Sequence, residues 1–563
     1  MKRCPECRRD YYDDSLAYCL DDGAVLLDGP PTVDEPATAL ITPHVTEPAT
    51  RTLDSRATDA VQRTRTSPAN ASRRSSLIAG VVAVVCVALL GIGGYLYYER
   101  GSSRQIESIA VMPLLNESGN ADLEYLSDGM TETLIKSLSN LPNLSVKPRS
   151  SVFRYKGKDV DLKTIGKELN VQAILNGRVA QRGDQLTLSL ELVDVQKDRV
   201  IWTEQYQRKQ SDLVSLQSEI AKDVSTKLTP KLSGAEETKV TKAATTDSEA
   251  YQAYLKGRYY WNRRTAENIV RAIEQFKVAT DRDPNYALAF VGLADCYAVS
   301  SEYAGLPSRE TIPRARTYAQ SALAIDPSLA EAHTTIGAIE DFDWHWAESE
   351  KEFKRSIELN PNYATTYHWY SIFLRNVGRY DESATAIKRA SELDPLSSVI
   401  AVNVTRVYQV QKDDEASIAN SLKIIELDPN FGPAYQYLAL SYVAKGKFDE
   451  AIANAQKAVE LSNRSGISLG DLGYVYAVAG RRQEAISLIR ELDEKYTRHE
   501  AIGQDLAAIL AGLGERDQVF DWLEKDFRAR DGRLPSIRWE PQFDSIKNDG
   551  RYMDLLKRMS LSE

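Results

Sequence analysis

ELNPNY (358–363), ELDPLS (392–397) and ELDPNF (426–431) are one phrase written three times at a spacing of 34 residues. Each closes an apolar, helix-like segment in Leu and follows it with Asn-Pro or Asp-Pro, a step that the proline ring keeps out of helix. Asp326-Pro327 lies a further 34 residues upstream, and Asp283-Pro284 earlier still. Self-similarity at a fixed period marks an array. Each unit buries its apolar face only against its neighbours, so the chain stacks instead of folding around one centre.

With each proline set at position 32 of a 34-residue unit, the small and large residues fall as they do in the tetratricopeptide repeat, which this pattern resembles. Ala272, Phe276 and Ala279 take positions 20, 24 and 27 of the first unit, and Ala315, Ala319 and Ala322 those of the second. Leu293-Ala294, Ile336-Gly337, Leu438-Ala439 and Leu472-Gly473 take positions 7 and 8. Small residues there let two antiparallel helices approach, and the larger ones fill the gap between pairs. Gly378, Gly446, Gly480 and Gly514 mark the turn within each pair, where a left-handed residue ends the first helix. About eight units fit between 249 and 531, the last degenerate, with a few extra residues around Arg258 to Thr265 and roughly nine inserted between Ser300 and Pro313. From Leu534 the register breaks, and 532–563 reads as a tail capping the last apolar face.

The resemblance implies a superhelix of helix pairs whose first helices line a concave groove for a protein or peptide. By phase, His368, Arg375, Asn376, Arg406, Gln409 and Gln436 face inward in the middle repeats. A basic, amide-bearing groove suits an acidic segment or a C-terminal carboxylate. The alternative for each residue is surface polarity without a partner. The lysine-and-asparagine carboxylate clamp of chaperone-binding repeats is not recognisable, and the aromatic cluster Trp344-His345-Trp346 reads as packing.

Upstream, 106–232 reads as a separate α/β unit. Ser108 to Leu114 has strand character, and Glu124 to Leu141 is helical with Leu126, Met130, Leu134 and Leu138 on one stripe. Leu186, Leu188, Leu190 and Leu192 alternate with polar residues as in a half-buried strand entered through Gly183-Asp184, and Val200 to Tyr206 follows as its neighbour. Leu213, Leu216, Ile220, Val224 and Leu228 mark a closing helix. The wording of IAVMPLLNESG, EYLSDGMTETLIKSL and LVSLQSEIAKDV resembles the TolB-amino-terminal-like domain, which in bacteria lies between a membrane helix and such repeats. That resemblance implies a small α/β fold without a catalytic set. Gly157-Lys158 and Gly166-Lys167 lack the rest of a phosphate loop, and Asp128 with Glu132 reads as a solvated pair at helical spacing. The polar stretch 233–248 reads as a linker.

The first 28 residues carry Cys4-Pro5-Glu6-Cys7 and Cys19-Leu20-Asp21-Asp22, with the spacing of a zinc ribbon. Cys4, Cys7, Cys19 and Asp22 are the candidate ligands, Asp22 standing where a fourth Cys is usual. A structural zinc would supply folding energy that so short a segment cannot draw from a core. The alternative is a tail with incidental thiols. Residues 29–76 are rich in Pro, Thr, Ala and Ser and read as a disordered linker. Leu77 to Tyr98 is uncharged and long enough to span a bilayer as a helix. Arg63, Arg65, Arg73 and Arg74 precede it, so the positive-inside rule puts the N-terminus in the cytoplasm and the repeats on the periplasmic side of a bacterial inner membrane.

The whole is therefore a multidomain, mainly α chain: a tetratricopeptide-repeat superhelix with a small α/β domain, a transmembrane helix and a zinc-ribbon-like N-terminus. Its net charge of -10 disfavours nucleic acid as the main partner. Five scattered His and the absence of nucleophile-elbow, metal-protease and dinucleotide patterns argue against an enzyme. The leading expectation is a membrane-anchored protein-binding scaffold. A regulator acting through the ribbon is the alternative, and an enzyme within 106–232 a third possibility.

Overall fold

The computed structural model describes residues 106–561 apart from 121–122, 142, 230–232, 264, 304–305 and 307, together with three two-residue strands near the N-terminus. Those strands are β1 (Lys2–Arg3), β2 (Asp10–Tyr11) and β3 (Leu27–Asp28), with β1 antiparallel to both others. They belong to a unit of their own, Met1–Leu96. The expected metal ligands Cys4, Cys7, Cys19 and Asp22 and the expected span 77–98 lie outside the described residues. Among the described residues no helix is long and apolar enough to cross a membrane.

The sheet-containing domain follows the expected order. The first strand is shorter than its apolar run suggests, because Pro113 has no N–H to donate: β4 (Ser108–Val111) stops before it and β5 (Leu115–Asn116) resumes after it. After β6 (Ser145–Val146) come three long strands, β7 (Ala173–Arg182), β8 (Gln185–Asp194) and β9 (Arg199–Lys209). The order is β6-β4-β7-β8-β9, parallel around β4 and antiparallel from β7 onward, with β5 also paired to β7. The alternating leucines of β8 are all buried, as period two requires. Helices Glu124–Ser139 and Leu213–Leu228 pack on this sheet through Leu126, Met130, Leu134, Leu138, Leu216 and Ile220. The stretch 233–248, expected to be a linker, instead contains a helix, Gly234–Thr241, whose Val240 is buried and whose Glu237 pairs with Lys222.

Eight helix pairs then fill 248–529. The first helices of repeats 1 to 8 are Ser248–Trp261, Ala287–Tyr303, Ala330–Phe342, Ala364–Asn376, Ser398–Val410, Gly432–Ala444, Gly466–Val478 and Gly503–Leu513. Their partners are Ala266–Arg282, Ser308–Ile325, Trp346–Leu359, Tyr380–Leu393, Asp414–Leu427, Phe448–Leu461, Arg482–Thr497 and Arg516–Ala529. Five second helices stop just before the Asp-Pro or Asn-Pro step, at Arg282, Ile325, Leu359, Leu393 and Leu427. Ala272, Phe276, Ala279, Ala315, Ala319 and Ala322 have no exposed surface, which fixes the register of the first two repeats.

In repeats 3 to 8 the turn within the pair has one position at positive φ, at 344, 378, 412, 446, 480 and 514. Gly378, Gly446, Gly480 and Gly514 fill it at φ between 70° and 81°. Trp344 holds it at 64° and Lys412 at 60°, where a side chain is disfavoured by roughly 1–2 kcal/mol. Beyond repeat 8 the tail forms two 3-10 turns, Leu534–Arg538 and Pro541–Ile546, and a helix, Gly550–Arg558. Leu534, Ile537, Phe543, Ile546, Leu555 and Leu556 cover Ala507, Leu510, Val519 and Leu523 of repeat 8, so the last apolar face is hidden by the tail.

Candidate functional site

First helices of several repeats are already engaged by other parts of the same chain. Two bodies engage them: the sheet-containing domain lies against repeats 1 to 4, and the tail against repeats 3 to 8.

On the domain side, helix Glu124–Ser139 approaches the first helix of repeat 1 so closely that a Cβ on Gly129 would lie 2.8 Å from the Leu255 side chain. The two share one apolar core in which Leu134 and Ile220 are continuous with Tyr251, Leu255 and Phe276. Around it runs a ring of charge. Glu132 accepts from Arg258 Nε at 2.6 Å and Asn262 Nδ2 at 2.7 Å, with Arg149 Nε at 3.4 Å. Burial pushes the Glu132 carboxyl up, but Arg258 and Arg149 reverse this and hold it below the usual range. Lys136 meets Glu331 of repeat 3 at 2.7 Å, and Thr133 Oγ1 lies 3.1 Å from Tyr251 OH. Ser150 and Ser151 both donate to Asp394 at the end of repeat 4, the second at 2.9 Å. Asp128 bonds Lys156. The two acids expected to be a solvated pair are therefore both engaged: Glu132 across the interface with Arg258 and Asn262, and Asp128 inside its own domain with Lys156 and Arg149.

On the tail side, Trp539 reaches the groove of repeat 4. Its indole N–H donates to Asn376 Oδ1 at 3.0 Å, and Asn376 Nδ2 in turn donates to Asp341 of repeat 3 at 3.2 Å. The guanidinium carbons of Arg375 and Arg406 lie 4.4 Å and 4.9 Å from the centre of the same ring. Arg375 is fully buried and donates from Nη2 to Asn403 Oδ1 at 3.0 Å, and Asn403 Nδ2 lies 2.9 Å from His368 Nε2. Arg406 also stacks on Tyr437 at 4.3 Å.

Farther along, Gln436 and Gln542 donate to the two oxygens of Asp471, at 2.5 Å and 2.6 Å. Gln504 donates to Ser536 Oγ and Glu540 Oε2 at 2.7 Å and 2.8 Å. Gln409 lines the same recess but spends its amide on the Tyr437 carbonyl and Ser441 within the array, at 2.9 Å and 3.1 Å. Trp346 Nε1 donates to the Met559 carbonyl at 2.9 Å, and the Trp344 ring packs on Phe527 of repeat 8 with centroids 5.6 Å apart. The Trp344-Trp346 cluster is thus packing, with Trp346 also against Phe373 of the adjacent repeat at 6.5 Å between centroids and Trp344 against the distant repeat 8.

The six residues expected to face inward are placed as follows. Arg375, Asn376 and Arg406 touch Trp539, Gln409 and Gln436 line the recess under residues 539–542, and His368 stands behind Asn403. The tail fills the recess at these residues as well as capping repeat 8. The residues that sequence reading missed are the occupants, Trp539, Glu540 and Gln542, and the acids Asp341 and Asp471. One signal was present: a Trp between Arg538 and Glu540, in a segment that has left the 34-residue register.

Burial sets the electrostatics. It pushes the Asp341 carboxyl up to about 7 against the opposing pull of Asn376 and Arg375. It does the same for Asp471, also to about 7, with Glu540 adding to the effect. The Arg375 guanidinium is lowered well below its ordinary value, by burial first and then by Arg406. Among the described residues no cluster of three or more His, Cys, Asp or Glu could hold a metal ion.

Comparison with known proteins agrees with the array. Tetratricopeptide repeat profiles match residues 421–453 and 438–498, and a profile described as HilA/YgeH-like transcriptional regulator, second domain, matches residues 104–223. The protein named Putative adenylate cyclase 3 of Rhizobium meliloti is 29% identical over 231 residues, covering 41% of this chain and 39% of that protein. Tetratricopeptide repeat protein 6 of Homo sapiens is 23% identical over 154 residues, covering 27% of this chain and 28% of that protein. The chain thus spans less than half the length of either relative. Among solved structures, Pseudomonas aeruginosa pilF matches at 20% identity, 38% of this chain, 94% of that chain and a TM-score of 0.31. A tetratricopeptide repeat protein from Parabacteroides merdae matches at 13% identity, 44% of this chain, 93% of that chain and a TM-score of 0.33. The helical array is built of tetratricopeptide repeats, next to a small sheet-containing domain.

Proposed function

We propose that this protein is a membrane-anchored interaction scaffold whose repeats bind a protein or peptide on their concave face. One observation carries the reading: that face already grips polypeptide, with Trp539 hydrogen-bonded to Asn376 and stacked on Arg375 and Arg406. A surface that holds an irregular, aromatic-bearing segment by side-chain contacts is what peptide recognition by a helical array requires. Anchoring rests on the uncharged run 77–98 and the arginines before it, with the N-terminus cytoplasmic and the repeats extracytoplasmic. In the same reading Cys4, Cys7 and Cys19, with Asp22, hold a structural zinc on the reducing side.

The test is a crosslinking pull-down from membranes with the array intact. Recovery of a partner that is lost on Arg375→Glu supports the scaffold, and recovery of nothing beyond background overturns it. Protease added to spheroplasts should degrade the repeats, and full protection would reverse the orientation. Loss of zinc on Cys7→Ser tests the ribbon.

A second reading, a membrane-anchored regulator, is favoured by the match of residues 104–223 to a domain of HilA/YgeH-like transcriptional regulators. Salt-dependent DNA binding by the full chain would support it over the scaffold. The similarity to an adenylate cyclase covers 39% of that protein and lends no cyclase activity to this one.

A further inference from the structure

Strand β9 ends the sheet, and among the described residues no strand pairs with its outer edge. Thr203, Glu204, Gln205, Gln207 and Lys209 are exposed along it, with Tyr206 buried between them. An edge of this length offers a row of backbone N–H and C=O groups to a further strand. Two features limit which strand can take them. The first is a bulge: Leu192 pairs with Trp202 but Val193 with Val200, so Ile201 is an extra residue that turns the start of β9 away from a neighbour. The regular stretch is therefore 202–209.

The second is charge. Glu204, Tyr206 and Arg208 stand opposite Leu190, Leu188 and Leu186, on the face that carries the buried leucines. Helix Leu213–Leu228 lies under that face, where Arg208 Nη2 donates to Glu219 at 2.8 Å and Tyr206 OH to Asp223 at 2.7 Å. A carboxylate at an open edge turns away a strand with apolar or acidic residues facing it, which is how edges avoid indiscriminate pairing. It admits a strand with a cation at that place. β9 is itself such a strand, because Glu204-Gln205-Tyr206-Gln207-Arg208 read in reverse has arginine where the forward reading has glutamate.

In two antiparallel copies of this stretch centred on Tyr206, Glu204 of each faces Arg208 of the other, Gln205 faces Gln207 and Thr203 faces Lys209. Centred on Glu204, the same strands set glutamate against glutamate. Centred on Gln205 or Gln207, they set no unlike charges opposite each other. Lys209 cannot replace Arg208 in this role, since it lies on the other face of the strand from Glu204.

We propose that β9 is a self-association edge: two copies of the chain join antiparallel along residues 203–209 about a two-fold axis at Tyr206, making one continuous sheet. The two-fold repeats every contact, so the single Glu204 and Arg208 of the chain form two ion pairs in the interface. On the opposite face Gln205 and Gln207, beside Ser189 and Thr187, carry a polar ladder across the seam. The surface belongs to the sheet-containing domain and uses no residue of the repeats, so it goes beyond the scaffold reading and is tested apart from it.

The experiment uses the full chain in detergent, in two differently tagged forms, with particle size and copurification as readouts. The unmutated chain is expected to dimerise. Glu204→Arg alone sets arginine against Arg208 at both contacts, and Arg208→Glu alone sets two glutamates together, so each variant should dimerise about tenfold or more weakly. Mixed, the two variants restore unlike charges at both contacts and should copurify as well as the unmutated forms do. A Glu204→Arg chain that dimerises undiminished overturns the proposal, since the dimer is then held elsewhere, and so does a mixture that pairs no better than either variant alone. A monomeric unmutated chain overturns it too and leaves the edge to a strand of another protein. Should Arg208→Glu lose structure by circular dichroism, having given up Glu219, cysteines on the exposed face take its place. Gln205→Cys in one form and Gln207→Cys in the other should give a disulfide carrying both tags on mild oxidation, at a yield well above that of Gln205→Cys with itself; equal yields overturn the register and the proposal with it.

Discussion

The indole nitrogen of Trp539 sits 3.0 Å from Asn376 Oδ1, joining two residues 163 apart in sequence. Asn376 passes the link on to Asp341, so one amide ties the tail, repeat 4 and repeat 3. Trp539→Phe keeps an aromatic ring beside the arginines, removes this hydrogen bond and trims the indole to one ring. We expect a loss of about 1 kcal/mol in the stability of the docked tail, read as a lower denaturant midpoint with an unchanged slope. A larger loss with a changed slope would mean that the ring itself moves.

Glu132 is the anion on which Arg258, Asn262 and Arg149 converge. Glu132→Gln leaves two mostly buried guanidinium groups short of a counter-charge, with Asp295 at 3.9 Å as the remaining acid near Arg258. The expected cost is about 3 kcal/mol, the usual result of removing one member of a buried pair. Limited proteolysis between the sheet-containing domain and repeat 1 should accelerate, and an unchanged cleavage rate would show that the apolar core holds the domain without the charges.

Asp341 and Asp471 make docking depend on pH. Burial raises both carboxyls from an ordinary 3.8 to about 7, so the folded form keeps a proton that the unfolded chain has already released. The stability that these two groups contribute is therefore fully present in acid and is lost as the pH rises from about 4 through about 7. Asp471 faces Gln436, Gln542, Glu540 and Arg533, and Glu540 makes its ionisation harder still. Tail docking should weaken between about pH 5 and pH 8, and Asp471→Asn should flatten that profile. A profile that rises over this interval would contradict the assignment.

Trp344 and Lys412 hold the same turn position that glycine fills in repeats 4, 6, 7 and 8, but they should respond oppositely to Gly. Lys412→Gly relieves a left-handed side chain, worth roughly 1–2 kcal/mol, and gives up an exposed ion pair and some unfolded-state entropy. A small net stabilisation is expected. Trp344→Gly relieves the same strain but strips the ring from Phe527, at a cost of about 2 kcal/mol or more. Thermal melts of the two variants should move in opposite directions.

What could be read from the sequence is what local chemistry repeats. The beat at 326, 360, 394 and 428 specified helix pairs, their register and the left-handed turn, because each unit restates the same short-range packing. The phase that put Arg375, Asn376 and Arg406 inward is a property of one helix and needs no knowledge of what it faces. The occupants were not legible, since nothing in spacing links Trp539 to Asn376 or Glu132 to Arg258, and such pairs exist only after the array has curved. Glu132 looked solvated for the same reason, and Asp128 because its cations Lys156 and Arg149 come from elsewhere in its own domain: two acids on a helix face carry no mark of the cations opposite. Trp344 could have been caught, lying 34 residues before Gly378 at a position where a bulky side chain needs compensation.

An open solenoid behaves as a spring: its units slide on their neighbours, and a load at one end fades along the stack. The Trp344 ring against Phe527, with Trp346 on the Met559 carbonyl, fastens the third coil to the last. The third and last coils are thereby closed like a clasp, and a load across them is shared between this contact and the stack that joins them.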